Sequence, residues 1–141
     1  MSLLTAIAVS ATGLTAQRKR LEVLVSNLAN ANTTQPEGVE PYRRKDVVFS
    51  SVSAGRPFSA EFDDAVQGVE ISGIVTDHGE LRKEHDPDHP NADSEGYVYY
   101  PNVNPMEELV NVLSATRSYE ANLQAVSSAK EMAMKTLEIL R

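Results

Sequence analysis

The side chains best suited to chemistry are histidines and aspartates that cluster between residues 77 and 93. The histidines are His78, His85 and His89, and the aspartates are Asp77, Asp86, Asp88 and Asp93. Imidazole nitrogens and carboxylate oxygens are common protein ligands of zinc and calcium. This stretch therefore raises the hypothesis of a metal-binding module.

The spacing of these side chains does not match a known metal-binding loop. An EF-hand loop places oxygen ligands at alternate positions and glycine at the sixth, whereas counting from Asp86 puts Pro90 fifth and Asn91 sixth. His85 and His89 have the spacing of a helical zinc pair, but Pro87 between them interrupts any helix. We therefore predict a solvated turn, with no metal and no other cofactor.

A second cluster, Arg43-Arg44-Lys45, follows Pro41-Tyr42 and has the charge to bind phosphate. It lacks the glycine-rich loop of phosphate sites, so we predict an exposed strand face or a patch of ion pairs between subunits. The chain has no cysteine, no Ser-His-Asp order and no dinucleotide fingerprint. The sequence therefore predicts a protein that is not an enzyme and has no small-molecule substrate.

The net charge of −7 is carried by the middle of the chain. Residues 31–104 hold six Lys or Arg against fourteen Asp or Glu, whereas residues 1–30 hold three against one and residues 105–141 four against five. Neutralising phosphates requires a basic surface. We therefore predict no nucleic-acid partner.

The middle segment, residues 32–104, has the pattern of a small β-rich domain with acidic loops. Strand signals cover residues 42–49, 69–75 around Gly73, 81–85 and 97–100, and a loop is predicted for residues 50–68. These short runs are separated by proline, glycine and aspartate, which favour turns.

The N-terminal segment, residues 1–31, predicts one long helix with an apolar residue at alternating spacings of three and four. The stripe is interrupted by Arg18 and consists of Leu4, Ile7, Ala11, Leu14, Leu21, Val25 and Leu28. This spacing is typical of a coiled-coil seam. We expect Arg18 to pair with an acid such as Glu120, on the other terminal helix or on a neighbouring subunit.

The C-terminal segment, residues 105–141, predicts a second long helix, with Asn104 as its N-cap and Pro105 at its first position. Its stripe is interrupted by Thr116 and Lys130 and consists of Leu109, Val112, Tyr119, Leu123, Val126, Ala133, Leu137 and Leu140. The same spacing again indicates a helix-packing seam.

These elements predict an α+β fold in which the two terminal helices pair as an antiparallel coiled-coil arm beside the β-rich domain. Ordering two long helices along a single seam costs more backbone entropy than the seam returns. We therefore expect the termini to be frayed in a dilute monomer and to become ordered against neighbours. Slow amide exchange throughout residues 3–28 of the monomer would contradict this expectation.

The apolar start of the chain, Leu3 to Val9, has the character of a signal-peptide core. No Lys or Arg precedes it, since the first basic residue is Arg18, and a secretory signal carries positive charge in front of that core. The sequence therefore predicts that no signal peptide is cleaved.

Several motifs resemble those of a known family. Asn27-Leu28-Ala29-Asn30 with Thr33 resembles the N-terminal signature of bacterial flagellar rod, hook and related axial proteins, and Tyr119-Glu120-Ala121-Asn122 resembles their C-terminal pattern. Two narrower motifs resemble those of the proximal rod proteins within this family. The first is Pro41, Tyr42, Arg43 and Arg44 followed by Val47-Val48-Phe49, and the second comprises Asp86, Pro87, His89, Pro90, Gly96, Tyr97, Val98, Pro101, Asn102 and Val103. In one departure, Gly38-Val39-Glu40 replaces the glycine pair that usually precedes the Pro-Tyr, which leaves that turn undetermined.

The resemblance implies a structural subunit of the proximal rod, which assembles through its terminal helices into the helical drive shaft that transmits motor torque. The implied partners are further copies of the chain, other rod proteins of the FlgB, FlgF and FlgG types, the rod–ring adapter of the FliE type, and the membrane ring and export gate. The implied location is the basal body across the periplasm, reached through the flagellar type III export apparatus without cleavage. Another flagellar axial protein, or a metal-binding periplasmic module, remains as an alternative.

Overall fold

The computed structural model describes residues 3–53 and 67–139, which form two long helices and four strands. In chain order the elements are α1 (Leu3–Asn30), β1 (Lys45–Ser53), β2 (Gln67–Thr76), β3 (Arg82–His85), β4 (Tyr97–Tyr100) and α2 (Pro105–Ile139). The predicted α+β fold with long terminal helices is confirmed. Leu140 and most of the predicted 50–68 loop lie outside the described residues. No helix in the described ranges is both long and apolar enough to cross a bilayer.

The helices α1 and α2 pack against each other in antiparallel orientation. The space beside Gly13 is occupied by the Asn122 side chain, 3.1 Å from where a Cβ would lie, and Asn27 donates a hydrogen bond to Glu108 over 3.1 Å. Moving from 13 to 27 along α1 therefore corresponds to moving back from 122 to 108 along α2. The start of α2 is capped as predicted, since Asn104 Oδ1 accepts a hydrogen bond from Met106 N at 3.1 Å.

The residues buried in this helix pair are mostly small or polar. They are Ala16, Val23, Leu24 and Asn27 in α1, and Glu108, Ala115 and Ala129 in α2. Small side chains allow two helix backbones to approach closely, and the only large apolar residues in this set are Val23 and Leu24. The helix pair therefore buries little of the apolar surface that its sequence carries.

The predicted seam of α1 is wrong as an intrachain contact. No residue of its apolar stripe is buried, and Leu4 and Val25 are 77% and 54% exposed. At about 100° per residue, the stripe lies roughly 160° around the helix from the mean direction of the four buried residues. The heptad spacing therefore does not mark the contact between the two helices of one chain.

The predicted seam of α2 is also displaced from the observed contact. Val112, Tyr119 and Val126 are half-buried, but Leu109, Leu123 and Leu137 are 43%, 52% and 68% exposed. The observed contact follows Glu108, Ala115 and Ala129, which lie roughly 65° away around the helix. The displacement arises because alanine and glutamate occupy the contact, and neither signals a seam in the sequence.

The strands form two separate antiparallel hairpins, β1–β2 and β3–β4. The two strand signals predicted around Gly73 are one continuous strand, β2. The register of the β1–β2 pair shifts by one residue, since Val48 pairs with Gly73 but Phe49 pairs with Ile71. Ser72 is therefore a bulge residue, and its hydroxyl donates a hydrogen bond to Val48 O at 3.1 Å. The bulge gives the hairpin a local twist beside α1.

One of the contacts between the β1–β2 hairpin and α1 is a close approach at Thr12. Val69 N donates a hydrogen bond to Thr12 Oγ1 at 3.1 Å, and a Cβ at Gly68 would lie 2.9 Å from the same oxygen. Beside this contact an open groove of about 570 Å³ runs between Ala11 and Thr15 of α1 and Val52 and Ile71 of the hairpin.

We expect Gly68→Ala to break the contact of the hairpin with Thr12, because its methyl group would occupy the space of the Thr12 hydroxyl. The expected loss is about 1–3 kcal/mol in the free energy of unfolding, as for overpacking. Urea denaturation of the purified chain measures it. Gly73→Ala is the matched control, since nothing lies within 4 Å of its added Cβ. Equal effects of the two substitutions would show that the close approach at Gly68 does not matter.

Candidate functional site

A buried polar junction joins both helices to the first hairpin. Its centre is Asn27, which is 0% exposed. The Asn27 amide donates to Lys45 O at 2.7 Å and accepts from Lys45 N at 3.0 Å, so it pairs with the first residue of β1 as a neighbouring strand would. Asn27 Oδ1 also accepts from the Tyr42 hydroxyl at 2.9 Å. Both polar atoms of the Asn27 side chain, Nδ2 and Oδ1, are therefore hydrogen-bonded.

A buried carboxylate completes the junction from the side of α2. Glu108 is 1% exposed and accepts from Arg44 Nε at 2.7 Å and from Asn27 Nδ2 at 3.1 Å. The hydrogen bond to Glu108 raises the pKa of Arg44 above its ordinary value. A buried carboxylate is tolerated only when it is paired and hydrogen-bonded in this way.

The segment before α2 is held to the same junction by Asn102. Its Oδ1 accepts from Arg44 N at 2.8 Å, and its Nδ2 donates to Asp77 O at 3.2 Å. Asp77 N in turn donates to Arg44 O at 2.8 Å. We call Asn27, Tyr42, Arg44, Asn102 and Glu108 the junction; it fixes where the two helices leave the β hairpins.

The structure brings four of the family-signature residues together in the junction: Asn27, Tyr42, Arg44 and Asn102. The sequence did not single out Glu108 or the backbone of Lys45. The signal that could have identified Glu108 was an acid in the first turn of α2, next to Leu109 of the apolar stripe. The prediction of an exposed patch or an intersubunit patch for the basic triplet is wrong for Arg44, whose main partner is Glu108 of the same chain.

The other signature residues near α1 have local roles. Asn30 Nδ2 donates to Ser26 O at 2.8 Å, and Thr33 Oγ1 lies 3.5 Å from Asn30 Oδ1, so both stabilise the end of α1. Ala29 is exposed, and Asn122 faces Gly13 in the helix pair. Arg43 bonds Glu40 at 2.9 Å and Gly79 O at 3.1 Å on the surface.

In the histidine- and aspartate-rich stretch, Asp77 and His78 precede β3, His85 ends it, and Asp86, Asp88, His89 and Asp93 lie in the turn between β3 and β4. Asp93 Oδ1 accepts from Tyr97 N at 2.8 Å and Glu95 N at 2.9 Å, and these backbone hydrogen bonds lower the pKa of Asp93 below its ordinary value of 3.8. Gly96 adopts a φ of 80°, and a Cβ there would lie 3.2 Å from Pro87. The turn conformation therefore requires glycine at this position.

The rest of this signature packs the second hairpin onto the fold. Val98 is 0% exposed and Val103 is 5% exposed, and Pro101 is fully buried. Asn91 Nδ2 donates to Thr34 Oγ1 at 2.8 Å, which ties the turn to the segment after α1. Within residues 3–53 and 67–139, no three His, Asp or Glu side chains lie close enough together to hold a metal ion.

Two apolar surfaces remain exposed on the helices. The α1 outer stripe contains the predicted positions Leu4, Ile7, Ala11, Leu14, Leu21, Val25 and Leu28, which are exposed or half-buried. The α2 outer patch contains Met106, Leu109, Val110 and Leu113, which are 70%, 43%, 64% and 61% exposed. The patch lies roughly 180° around α2 from its buried residues. Contiguous exposed apolar surfaces of this kind mark sites of protein–protein contact.

Comparison with known proteins places this architecture in a family. Residues 7–36 match the model of the flagella basal body rod protein, and residues 94–139 match that of the flagellar basal body rod FlgEFG protein C-terminal region. The chain is similar to the flagellar basal-body rod protein FlgC of Bacillus subtilis (strain 168), with 46% identity over 142 residues and 93% of each chain covered. It is also similar to FlgC of Borreliella burgdorferi, with 39% identity over 100% of this chain and 99% of that one. The chain is also 39% identical to FlgC of Salmonella typhimurium, over 99% of this chain and 98% of that one.

The terminal helices and the matched segments define the class as the axial rod proteins of the bacterial flagellum. Within that class the chain belongs to the FlgC family of flagellar basal-body rod proteins. It is a structural subunit of the proximal rod, located in the flagellar basal body. The resemblance drawn from its motifs is confirmed.

Proposed function

We propose that this subunit builds the rod by burying the α1 outer stripe and the α2 outer patch against neighbouring subunits. The observation that carries the proposal is that the buried and the exposed faces of the helices differ in residue type. Small and polar residues hold α1 to α2 within the chain, while large apolar residues such as Val25 and Leu113 stay exposed. Their burial in an assembly would supply the hydrophobic stabilisation that the monomer lacks.

The assembled helices would form the helical drive shaft that transmits motor torque, and the junction would hold the β hairpins at a fixed position on it. A shaft under torque requires rigid attachment of its parts, and the junction supplies five residues with interlocking hydrogen bonds. The function requires no catalytic step, and the subunit is proposed to act without substrate or cofactor.

The proposed partners are further copies of the chain, the FlgB, FlgF and FlgG types of rod protein, the FliE type of adapter, and the membrane ring and export gate. We place the subunit in the part of the basal body that spans the periplasm, after unfolded passage through the flagellar type III apparatus without cleavage. A helix pair held by small residues and a polar junction suits this route, because little apolar packing has to be undone.

An in-frame deletion in the source bacterium tests the proposed function. We expect cells without hooks and filaments, whose basal bodies contain rings but no rod in electron micrographs, and rescue by the plasmid-borne gene. A deletion strain that swims on complete flagella would contradict the proposal.

A further inference from the structure

We propose that the α1 outer stripe of one copy packs against the α2 outer patch of a second copy, with Arg18 and Glu120 forming an ion pair across the contact. This inference rests on the proposed function and deepens it by naming the two surfaces that meet and the residues that set their register. The occupant of each surface is another copy of this chain.

The two surfaces are complementary but cannot meet within one chain. Each faces away from the side of its helix that is buried in the helix pair, by roughly 160° for α1 and 180° for α2. A second copy can bring its α2 outer patch to the α1 outer stripe and leave its own α1 outer stripe free for a third. Repetition of such a contact between unlike surfaces produces an open helical assembly when the rotation from one copy to the next does not close a ring.

The charges of the two helices also favour this contact. α1 carries three basic residues and one acid, whereas α2 carries three basic residues and five acids. Arg18 interrupts the α1 outer stripe, and Glu120 lies on the outer side of α2, two turns beyond Leu113; both are exposed. Among the described residues, neither Arg18 nor Glu120 takes part in an ion pair, so the expected pairing within one chain is not formed.

The orientation of the contact follows from the antiparallel helix pair. With the helix pairs aligned along the assembly axis, every copy points α1 in the same direction, so α1 and the α2 of a second copy run antiparallel. Placing Arg18 opposite Glu120 then brings Val25 beside Leu113 and Leu28 beside Val110, because the spacings along the two helices are equal. In this register Val25 and Leu28 gain apolar partners, and the charge that interrupts the stripe gains an opposite charge.

Charge reversal tests the ion pair. Arg18→Glu or Glu120→Arg alone places like charges across each contact, and we expect roughly tenfold fewer flagellated cells. The double variant Arg18→Glu/Glu120→Arg restores the pair and should restore swimming. Lys19→Glu is the charge-matched control, since Lys19 lies off the stripe and pairs with Glu22 at 2.9 Å. Normal swimming of both single variants, or a double variant as defective as either one, would overturn the pair.

Disulfide crosslinking tests the identity of the occupant, because the chain has no cysteine of its own. Basal bodies containing the variant Val25→Cys/Leu113→Cys should give, on mild oxidation, a ladder of dimers, trimers and longer chains of this subunit alone. Crosslinks only to a different rod protein would overturn the second copy as occupant and leave the proposed function standing. Basal bodies that contain the subunit without crosslinks would also overturn this inference, whereas complete rods in the deletion strain would overturn the proposed function itself.

Discussion

Replacing Asn27 with leucine is expected to lower the free energy of unfolding by about 3 kcal/mol or more. Leucine has a similar volume, so the change removes hydrogen bonds without leaving a large cavity. It leaves Lys45 N, Lys45 O, the Tyr42 hydroxyl and Glu108 Oε2 without the partner that Asn27 provides. Each buried polar group left unsatisfied costs about 1–3 kcal/mol, reduced where water reaches it.

Asn30→Ala is the matched control for this variant. Asn30 belongs to the same signature and the same helix, but among the described residues its side-chain amide bonds only Ser26 O and the Thr33 hydroxyl near the surface. We expect it to cost under about 1 kcal/mol. Urea unfolding followed by far-UV circular dichroism measures both variants. Equal losses for Asn27→Leu and Asn30→Ala would contradict the central role of the junction.

Replacing Leu123 with aspartate is expected to abolish rod assembly without destabilising the monomer. Leu123 lies beyond the α2 outer patch, in the predicted packing stripe of α2, and we expect a neighbouring subunit to cover it as well. It is 52% exposed in the single chain, so the change in unfolding free energy should stay within about 0.5 kcal/mol. Burial of an unpaired carboxylate between subunits costs several kcal/mol in each contact. Cells carrying this variant should express the protein and fail to swim.

Two comparison variants separate assembly from folding. Ser114→Asp introduces the same charge at an exposed polar position away from both apolar faces, and these cells should swim normally. Ala115→Asp introduces it at a residue that is 0% exposed in the helix pair, and this variant should unfold at a lower urea concentration. Normal swimming of the Leu123→Asp strain would show that Leu123 lies outside the assembly surfaces.

The fold could be predicted from the sequence because its signals are local. Asn104-Pro105 marks the start of α2, and the Asp93 to Gly96 turn marks the start of β4, so both elements begin at the expected residues. These signals arise from capping and turn chemistry within a few residues. The apolar spacing likewise identified two long helices.

The helix contact could not be predicted, because the apolar stripe is not what holds the pair together. In a single globular chain, large apolar residues at heptad spacing would be buried, and Val25 and Leu123 would lie in the seam. Here the seam is formed by Ala16, Ala115 and the Asn27–Glu108 hydrogen bond. Glu108, Ala115 and Ala129 do recur at multiples of seven, but alanine and glutamate are not large apolar residues and do not signal a seam. The Asn27–Glu108 pair could not be predicted either, because its members lie 81 positions apart.

Most residues of the junction, but not the contacts among them, could be identified from the sequence. Motif resemblance singled out Asn27, Tyr42, Arg44 and Asn102 without indicating that they touch. Glu108, the partner of Asn27 and Arg44, belongs to no motif and acts through its position at the start of α2. The three-dimensional structure was therefore needed to explain why these residues occur together.

Thiol labelling tests the central claim that the apolar helix faces left exposed by the chain are buried in the rod. Leu113→Cys and Leu123→Cys each introduce a single cysteine into a chain that has none, and Ser94→Cys on the β3–β4 turn serves as the control. We expect the cysteines at 113 and 123 to react quickly with maleimide in the purified monomer and at least roughly tenfold more slowly in basal bodies of swimming cells, as for groups excluded from solvent by an interface. Equal labelling rates in the monomer and in the basal body, at both positions, would contradict the account.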